Sequence, residues 1–218
     1  MAQEPAIYTN TPPTPEDLKA AEYKRPDPSI IARFAKLPAA NIGDVMDRLG
    51  VLDSKISPIW NGAKVAGPAF TVWTRSGDNL AIHRALAVAK PGDVIIVNGG
   101  ADESRALIGD IMAGKAKRAG IAGIVIDGAA RDGSGLAELE MPVFARALTP
   151  AGPYKFGPGK LCVTIAVGGV ACAPGDIVVG DEDGVVIIPQ AEAIEILEAA
   201  EKVLEMENGR RDDSQQKR

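Results

Sequence analysis

From residue 65 onward the chain consists of short aliphatic runs bounded by Gly and Pro, with helix-length amphipathic segments between them. Runs such as Val94-Ile95-Ile96-Val97 and Ile124-Val125-Ile126 show no polar alternation, so these strands need cover on both faces. A layered α/β fold supplies that cover. The strands expected are residues 69–75, 93–98, 121–127, 142–145, 161–167, 176–179 and 184–188. Helices are expected over 80–89 and over 105–119, where Leu107, Ile108, Ile111, Met112, Ala116 and Ala119 fall on one stripe. A last helix is expected over 190–207, with Ile194, Leu197, Ala200 and Leu204 inward.

Upstream, Ser29 is placed to cap a short helix through Ile30, Ile31, Phe34 and Leu37. Asn41 is placed to cap another, through Ile42, Val45, Met46 and Leu49, which stops at Gly50. Residues 1–28 hold Pro5, Pro12, Pro13, Pro15, Pro26 and Pro28 and little periodicity, so they read as an arm rather than part of the core. The remainder divides into one domain over 29–210 and a polar tail over 211–218, which suits a chain of 218 residues.

Composition narrows the chemistry. Two cysteines, Cys162 and Cys172, are too few for a disulfide scaffold or a four-thiolate zinc site. A net charge of −5 without a long basic run argues against a nucleic-acid face. No apolar run approaches membrane-spanning length and no signal-peptide pattern opens the chain, so a cytoplasmic protein is expected. His83 is the single histidine, which excludes multi-histidine metal sites and leaves any metal to be held mainly by oxygen. A phosphoacceptor role for His83 is less in keeping with its helical setting beside Arg84 than a structural or supporting one.

The informative stretch runs from Asn98 to Asp132. One buried strand ends in Gly99-Gly100, a helix follows with Gly109-Asp110-Ile111-Met112, and a second buried strand ends in Asp127-Gly128-Ala129-Ala130-Arg131-Asp132. Ligands of open α/β sheets gather beyond the carboxyl ends of strands, where Arg131 and Asp132 fall. Local features alone read equally as loop glycines and a solvated ion pair. Lys64, Lys115 and Lys117 are weak Schiff-base candidates, the latter two on a polar helix flank, and Asp181-Glu182-Asp183 reads as the turn of a hairpin.

Asp110, twenty intervening residues, then Arg131-Asp132 resembles the D-x20-R-D signature of the metal-dependent pyruvate aldolases that act on 4-hydroxy-4-methyl-2-oxoglutarate and 4-carboxy-4-hydroxy-2-oxoadipate. These share a fold with the ribonuclease-E-inhibitor-like (RraA-like) proteins. Asp78-Asn79-Leu80-Ala81-Ile82-His83, Pro91-Gly92-Asp93-Val94, Gly168-Gly169-Val170, Pro174-Gly175-Asp176 and Asp181-Glu182-Asp183-Gly184-Val185-Val186 are similar to that superfamily in the same order. The resemblance implies a layered α/β/β sandwich of swivelling-domain type with an N-terminal arm and a C-terminal helix. It also implies homotrimers or dimers of trimers with active sites at subunit clefts.

Position by position, the resemblance implies that Asp132 binds Mg2+ or Mn2+ directly and that Asp110 holds the metal's water ligands. It implies that Gly109 and the N–H groups of Ile111 and Met112 receive the carboxylate of a 2-oxo acid, which places the helix start nearer Gly109 than Arg105. Arg131 would hold the 2-oxo acid and stabilise a pyruvate enolate, formed by aldol cleavage or by decarboxylation of oxaloacetate. Glu207, or Glu205 in another register, would reach a neighbouring subunit's site, with Gly209 a departure that could end the helix early. A protein-binding regulator of the ribonuclease-inhibitor kind is the rival expectation; those proteins tend to lose the acid after the arginine, and Asp132 is present.

Overall fold

A computed structural model describes residues 12–216. In chain order its elements are α1 (Pro15–Ala20), α2 (Pro28–Phe34), α3 (Ala39–Val45), β1 (Ser57–Pro58), β2 (Val65–Thr74), α4 (Leu80–Val88), β3 (Val94–Ile108), α5 (Asp110–Arg118), β4 (Gly123–Ala130) and α6 (Gly133–Glu138). Then follow β5 (Val143–Leu148), β6 (Gly159–Leu161), β7 (Ile165–Val167), β8 (Val170–Cys172), β9 (Ile177–Asp181), β10 (Gly184–Ile188) and α7 (Ala193–Gln216). The main sheet has the order β1-β5-β4-β3-β2-β9-β10, with β6 also on β2. Strands β2 to β5 run parallel and β9 and β10 antiparallel.

Strand alternation sorts the apolar side chains into layers, as the period of two requires. Ile95, Val97, Ile124 and Ile126 face α4, α5 and α6, where Ile82, Ala113, Ala116 and Leu136 meet them. Val94, Ile96 and Val125 face the other way, onto Val178, Val185 and Ile187 of the β9–β10 hairpin. The far face of that hairpin, Ile177, Val179, Val186 and Ile188, is covered by Phe34, Ile42, Leu197 and Ala200 of α2, α3 and α7. The result is the layered α/β sandwich with a C-terminal helix that the sequence led us to expect. Strand β2 links the layers, since residues 65–68 pair with β9 and residues 69–73 with β3.

Several local expectations are corrected. The stripe from Arg105 is not one helix: Leu107 and Ile108 end β3, and α5 begins at Asp110 with Gly109 as its extended cap residue. The strand over 161–167 is two strands, interrupted at Cys162, whose φ is 51°. Asp27 rather than Ser29 caps α2, its carboxylate accepting the Ser29 N–H, and Pro38 rather than Asn41 precedes α3. Helix α7 runs through Gly209 to Gln216 instead of stopping near Glu207.

The proline-rich segment is not separate from the core over its described part. Ala21 belongs to the core, Tyr23 packs edge-on against Phe70, and Asp17 takes a two-pronged ion pair from Arg84 of α4. Arg25 does the same to Asp93, with both N···O distances 2.7 Å. Residues 1–11 lie outside the described residues.

Candidate active site

Strands β3 and β4 are parallel neighbours, so their carboxyl ends and the helices that follow lie side by side. The Arg131 N–H donates to the Ile108 carbonyl (3.0 Å), tying the β4–α6 turn to the β3–α5 turn. Asp132 follows in the left-handed conformation, φ 59° and ψ 44°, as the residue preceding α6. Such backbone is costly for a non-glycine residue, although Asp tolerates it better than most, and it recurs at functional sites. It turns the Asp132 carboxylate back onto Gly109. A Cβ on Gly109 would stand 2.4 Å from Asp132 Oδ2 and 3.0 Å from Arg131 Nε, so close approach, not φ, requires glycine there.

Arg131 Nε lies 3.3 Å from Asp132 Oδ2, and the two side chains are 41% and 39% exposed. A pair this open contributes little to stability, so its geometry is free to serve a ligand. Asp110, at the first position of α5, packs on the opening turn of α6: a Cβ on Gly135 would meet its Cβ at 3.0 Å and its Oδ2 at 3.2 Å. The structure thus brings Asp110, Gly109, Arg131 and Asp132 together at one junction.

First-turn N–H groups of a helix have no partner within the helix, and the positive end of its dipole favours an anion there. Ile111 and Met112 supply such groups in α5, whose first backbone bond is Ala113 N–H to Gly109 O. Here the Ile111 N–H donates to the Asp110 carboxylate itself (2.6 Å). A ligand carboxylate can take that position only when Asp110 turns away.

Beside this junction opens a cavity of about 170 Å³, walled by Ile111, Met112 and Lys115 of α5, by Asn79 and His83, and by Gly152, Pro153 and Lys155. Lys155 is held there by its loop. Asp78, fully buried, accepts the N–H groups of Leu80, Phe156 and Gly157, while Arg105 donates to the Gly152 carbonyl (2.9 Å) and stacks on Tyr154.

The cavity is electropositive. Burial, then Arg131 and Lys115, lower the Lys155 ammonium from its ordinary range. Burial, then Lys155 and Lys115, hold His83 down to about 4, so its imidazole is neutral near pH 7. Because the folded state resists protonation, folding stability contributed by neutral His83 is present above pH 6.5 and is lost as pH falls towards 4. The sole imidazole resonance is therefore expected to titrate near pH 4, and Lys155→Met should move it upward. A midpoint at the ordinary 6.5 would contradict this cationic setting.

The family model for RraA-like proteins (Aldolase/RraA) matches residues 39–187. The chain belongs to the RraA-like family. A relative from Halalkalibacterium halodurans, named "Putative 4-hydroxy-4-methyl-2-oxoglutarate aldolase", is 44% identical over 79% of this chain and 82% of its own. One of the same name from Burkholderia multivorans is 37% identical over 64% of this chain and 84% of its own. Among solved structures, Streptomyces coelicolor RraAS2, described as an unusual member of the RNase ES inhibitor RraA family, aligns with a TM-score of 0.79. It is 31% identical and covers 87% of this chain and 98% of its own.

In this RraA-like chain Glu207, on α7, is not among the residues lining the cavity. Lys64 pairs with Glu182 across 3.9 Å at the surface, away from it, and Asp181 begins the β9–β10 turn with its carboxylate on the Ala39 N–H. Sequence reasoning missed Lys155, which sits in a loop with no periodic signal, and set Lys115 aside as a polar flank. Asn79 was visible only within a stretch similar to the superfamily, and His83, the single histidine, was read as a structural or supporting residue. The spacing of four between them on a helix was the available signal.

Proposed function

We propose that this protein is a divalent-metal-dependent lyase that cleaves a 4-hydroxy-2-oxo diacid between C3 and C4, releasing pyruvate, and that it also decarboxylates oxaloacetate. The observation that carries this reading is the convergence of Arg131, Asp132, Asp110 and the first turn of α5 beside a cavity lined by Lys115 and Lys155. A guanidinium fork suits a carboxylate or enolate, and two lysines suit a second carboxylate. The names of the two curated relatives support the same reaction class.

Among the described residues no three His, Cys, Asp or Glu side chains form a cluster able to hold a metal ion. Two carboxylates, Asp132 and Asp110, meet at the junction instead, and they fit a hard cation that keeps most of its water, such as Mg2+ or Mn2+. Asp132 would ligate it directly and Asp110 would act through water. Such a cation supplies positive charge to the carboxylate and keto oxygens of a 2-oxo acid. As the C4 hydroxyl gives its proton to solvent water and becomes a carbonyl, the C3–C4 bond breaks and its electron pair becomes the enolate; the Arg131 N–H donors would stabilise the developing negative oxygen until C3 takes a proton from water to give pyruvate. The α5 first turn orients the carboxylate. We place the enzyme in the cytoplasm as a homotrimer or hexamer, in which Glu207 reaches the neighbouring subunit's site.

The test is pyruvate release, coupled to lactate dehydrogenase, across a panel of 2-oxo acids. Activity is expected to vanish in excess chelator and to return with Mg2+ or Mn2+. Full turnover in chelator would overturn the metal requirement. Absence of turnover on every acid would favour the second reading, a protein-binding regulator, which the Streptomyces likeness supports.

A further inference from the structure

Two polar atoms on the cavity wall have no role in the account above. Asn79 is 3% exposed, and its amide nitrogen donates to the Leu107 carbonyl (3.0 Å) and approaches Met112 Sδ (3.2 Å). These acceptors fix which end of the amide is which. They leave Asn79 Oδ1 buried with no hydrogen-bond partner among the described residues, and His83 Nε2 is in the same condition. Both residues line the cavity, one helical turn apart, in register through the His83 N–H to Asn79 carbonyl bond of 3.1 Å. Buried polar groups are nearly always paired, so two orphans on one wall mark a place that a ligand completes.

Their chemistry selects the ligand group. An amide oxygen only accepts, whereas a neutral imidazole can donate from Nε2. One hydroxyl answers both, giving its proton to Oδ1 and accepting from Nε2–H. A carboxylate or keto oxygen would answer the imidazole but set lone pairs against the amide oxygen, and an ammonium would be repelled by Lys115 and Lys155.

We propose that Asn79 Oδ1 and His83 Nε2 form the subsite for the C4 hydroxyl of the substrate, selecting 4-hydroxy-2-oxo diacids over diacids that lack the hydroxyl. This rests on the reaction proposed above. The two are positioning residues that orient the C4–O bond. The imidazole is kept too weak a base to take the hydroxyl proton.

The test compares kcat/KM for 4-hydroxy-4-methyl-2-oxoglutarate and for oxaloacetate, which has no hydroxyl, in wild type, His83→Phe and His83→Gln with Mg2+. His83→Phe is expected to lower the ratio of the two about tenfold, mainly through KM of the hydroxy acid, as loss of one neutral hydrogen bond implies. His83→Gln, which restores an N–H donor, is expected to recover part of it. His83 is the sole histidine, so wild type offers a second readout. Its Nε2 resonance should shift on adding 2-hydroxy-2-methylsuccinate and not on adding methylsuccinate. Equal losses on both substrates, or equal shifts with both ligands, would overturn the subsite. If wild type released pyruvate from oxaloacetate but not from the hydroxy acid, the hydroxyl subsite would fall while the enolate site stood. Release from neither would bring down the proposed reaction itself.

Discussion

Asp132→Ala is expected to abolish metal-dependent pyruvate release, and Arg131→Ala to lower kcat by about 10²–10³, the range seen when a donor to a developing oxyanion is removed. Arg131→Lys should restore little, because a single ammonium cannot reproduce a planar fork of donors. None of these changes should disturb folding. Both side chains are about two-fifths exposed and their mutual ion pair spans 3.3 Å, so loss of the pair should cost under about 1 kcal/mol, to which Asp132→Ala adds about 1 kcal/mol for left-handed backbone that Ala tolerates less well than Asp. Thermal unfolding measured beside turnover separates the two effects: a stable, inactive Asp132→Ala protein is the expected result. Normal turnover by Arg131→Ala would remove that residue from the reaction. Gly109→Ala probes the same geometry from the backbone, since its methyl group would push the Asp132 carboxylate aside.

The largest effect on stability is expected from Asp127→Ala. Asp127 lies in β4 just before the junction, where its carboxylate takes Arg146 Nε and also accepts the Gly168 N–H at 2.7 Å. Arg146 is 8% exposed. Removing Asp127 leaves this buried guanidinium, among the described residues, with Asp53 alone, which contacts it from the surface at 2.8 Å. Breaking a buried pair on one side costs about 3 kcal/mol or more, which for a chain of this size lowers Tm by roughly 6–12 °C. Asp53→Ala, removing the exposed partner, should cost under about 1 kcal/mol. Equal shifts in Tm for the two variants would contradict the assignment of burial as the cause.

How much of this could be read from residues alone depended on whether the deciding interaction was local. Unbroken runs such as residues 94–97 gave the covered strands, because strand burial on two faces leaves its mark in the same few residues. The β3–α5 boundary misled for the opposite reason. Leu107, Ile108, Ile111 and Met112 are spaced as on one helical stripe, yet the first two face the core from a strand, Met112 faces it from a helix, Ile111 is exposed, and Gly109 between them is extended. The need for glycine there comes from the close approach of Asp132, more than twenty residues away. The split of the strand expected over 161–167 likewise turns on one residue, Cys162, in the left-handed region.

The same distinction holds for the site. Arg131 and Asp132 stand at a strand end, so their neighbourhood was legible, but their meeting with Asp110 and Gly109 required parallel pairing of β3 with β4. Lys155 reaches the cavity because a buried Asp78 pins a distant loop, and no pattern near residue 155 records that. His83 was legible as part of a helix, whereas its orphaned nitrogen is a property of everything packed round it.

The ion pairs made by the segment before α2 bear on where this domain can be cut. The family-model match begins at residue 39, yet Arg84 and Asp93 inside it find their counterions at Asp17 and Arg25, outside it. Asp93 has no exposed surface of its own. A protein trimmed to residues 39–187 would leave the buried Asp93 carboxylate without its counterion, though still accepting the Lys90 N–H, and leave the Arg84 guanidinium of α4 without Asp17. The span that the family model matches and the span that closes its own charges are therefore different lengths of chain.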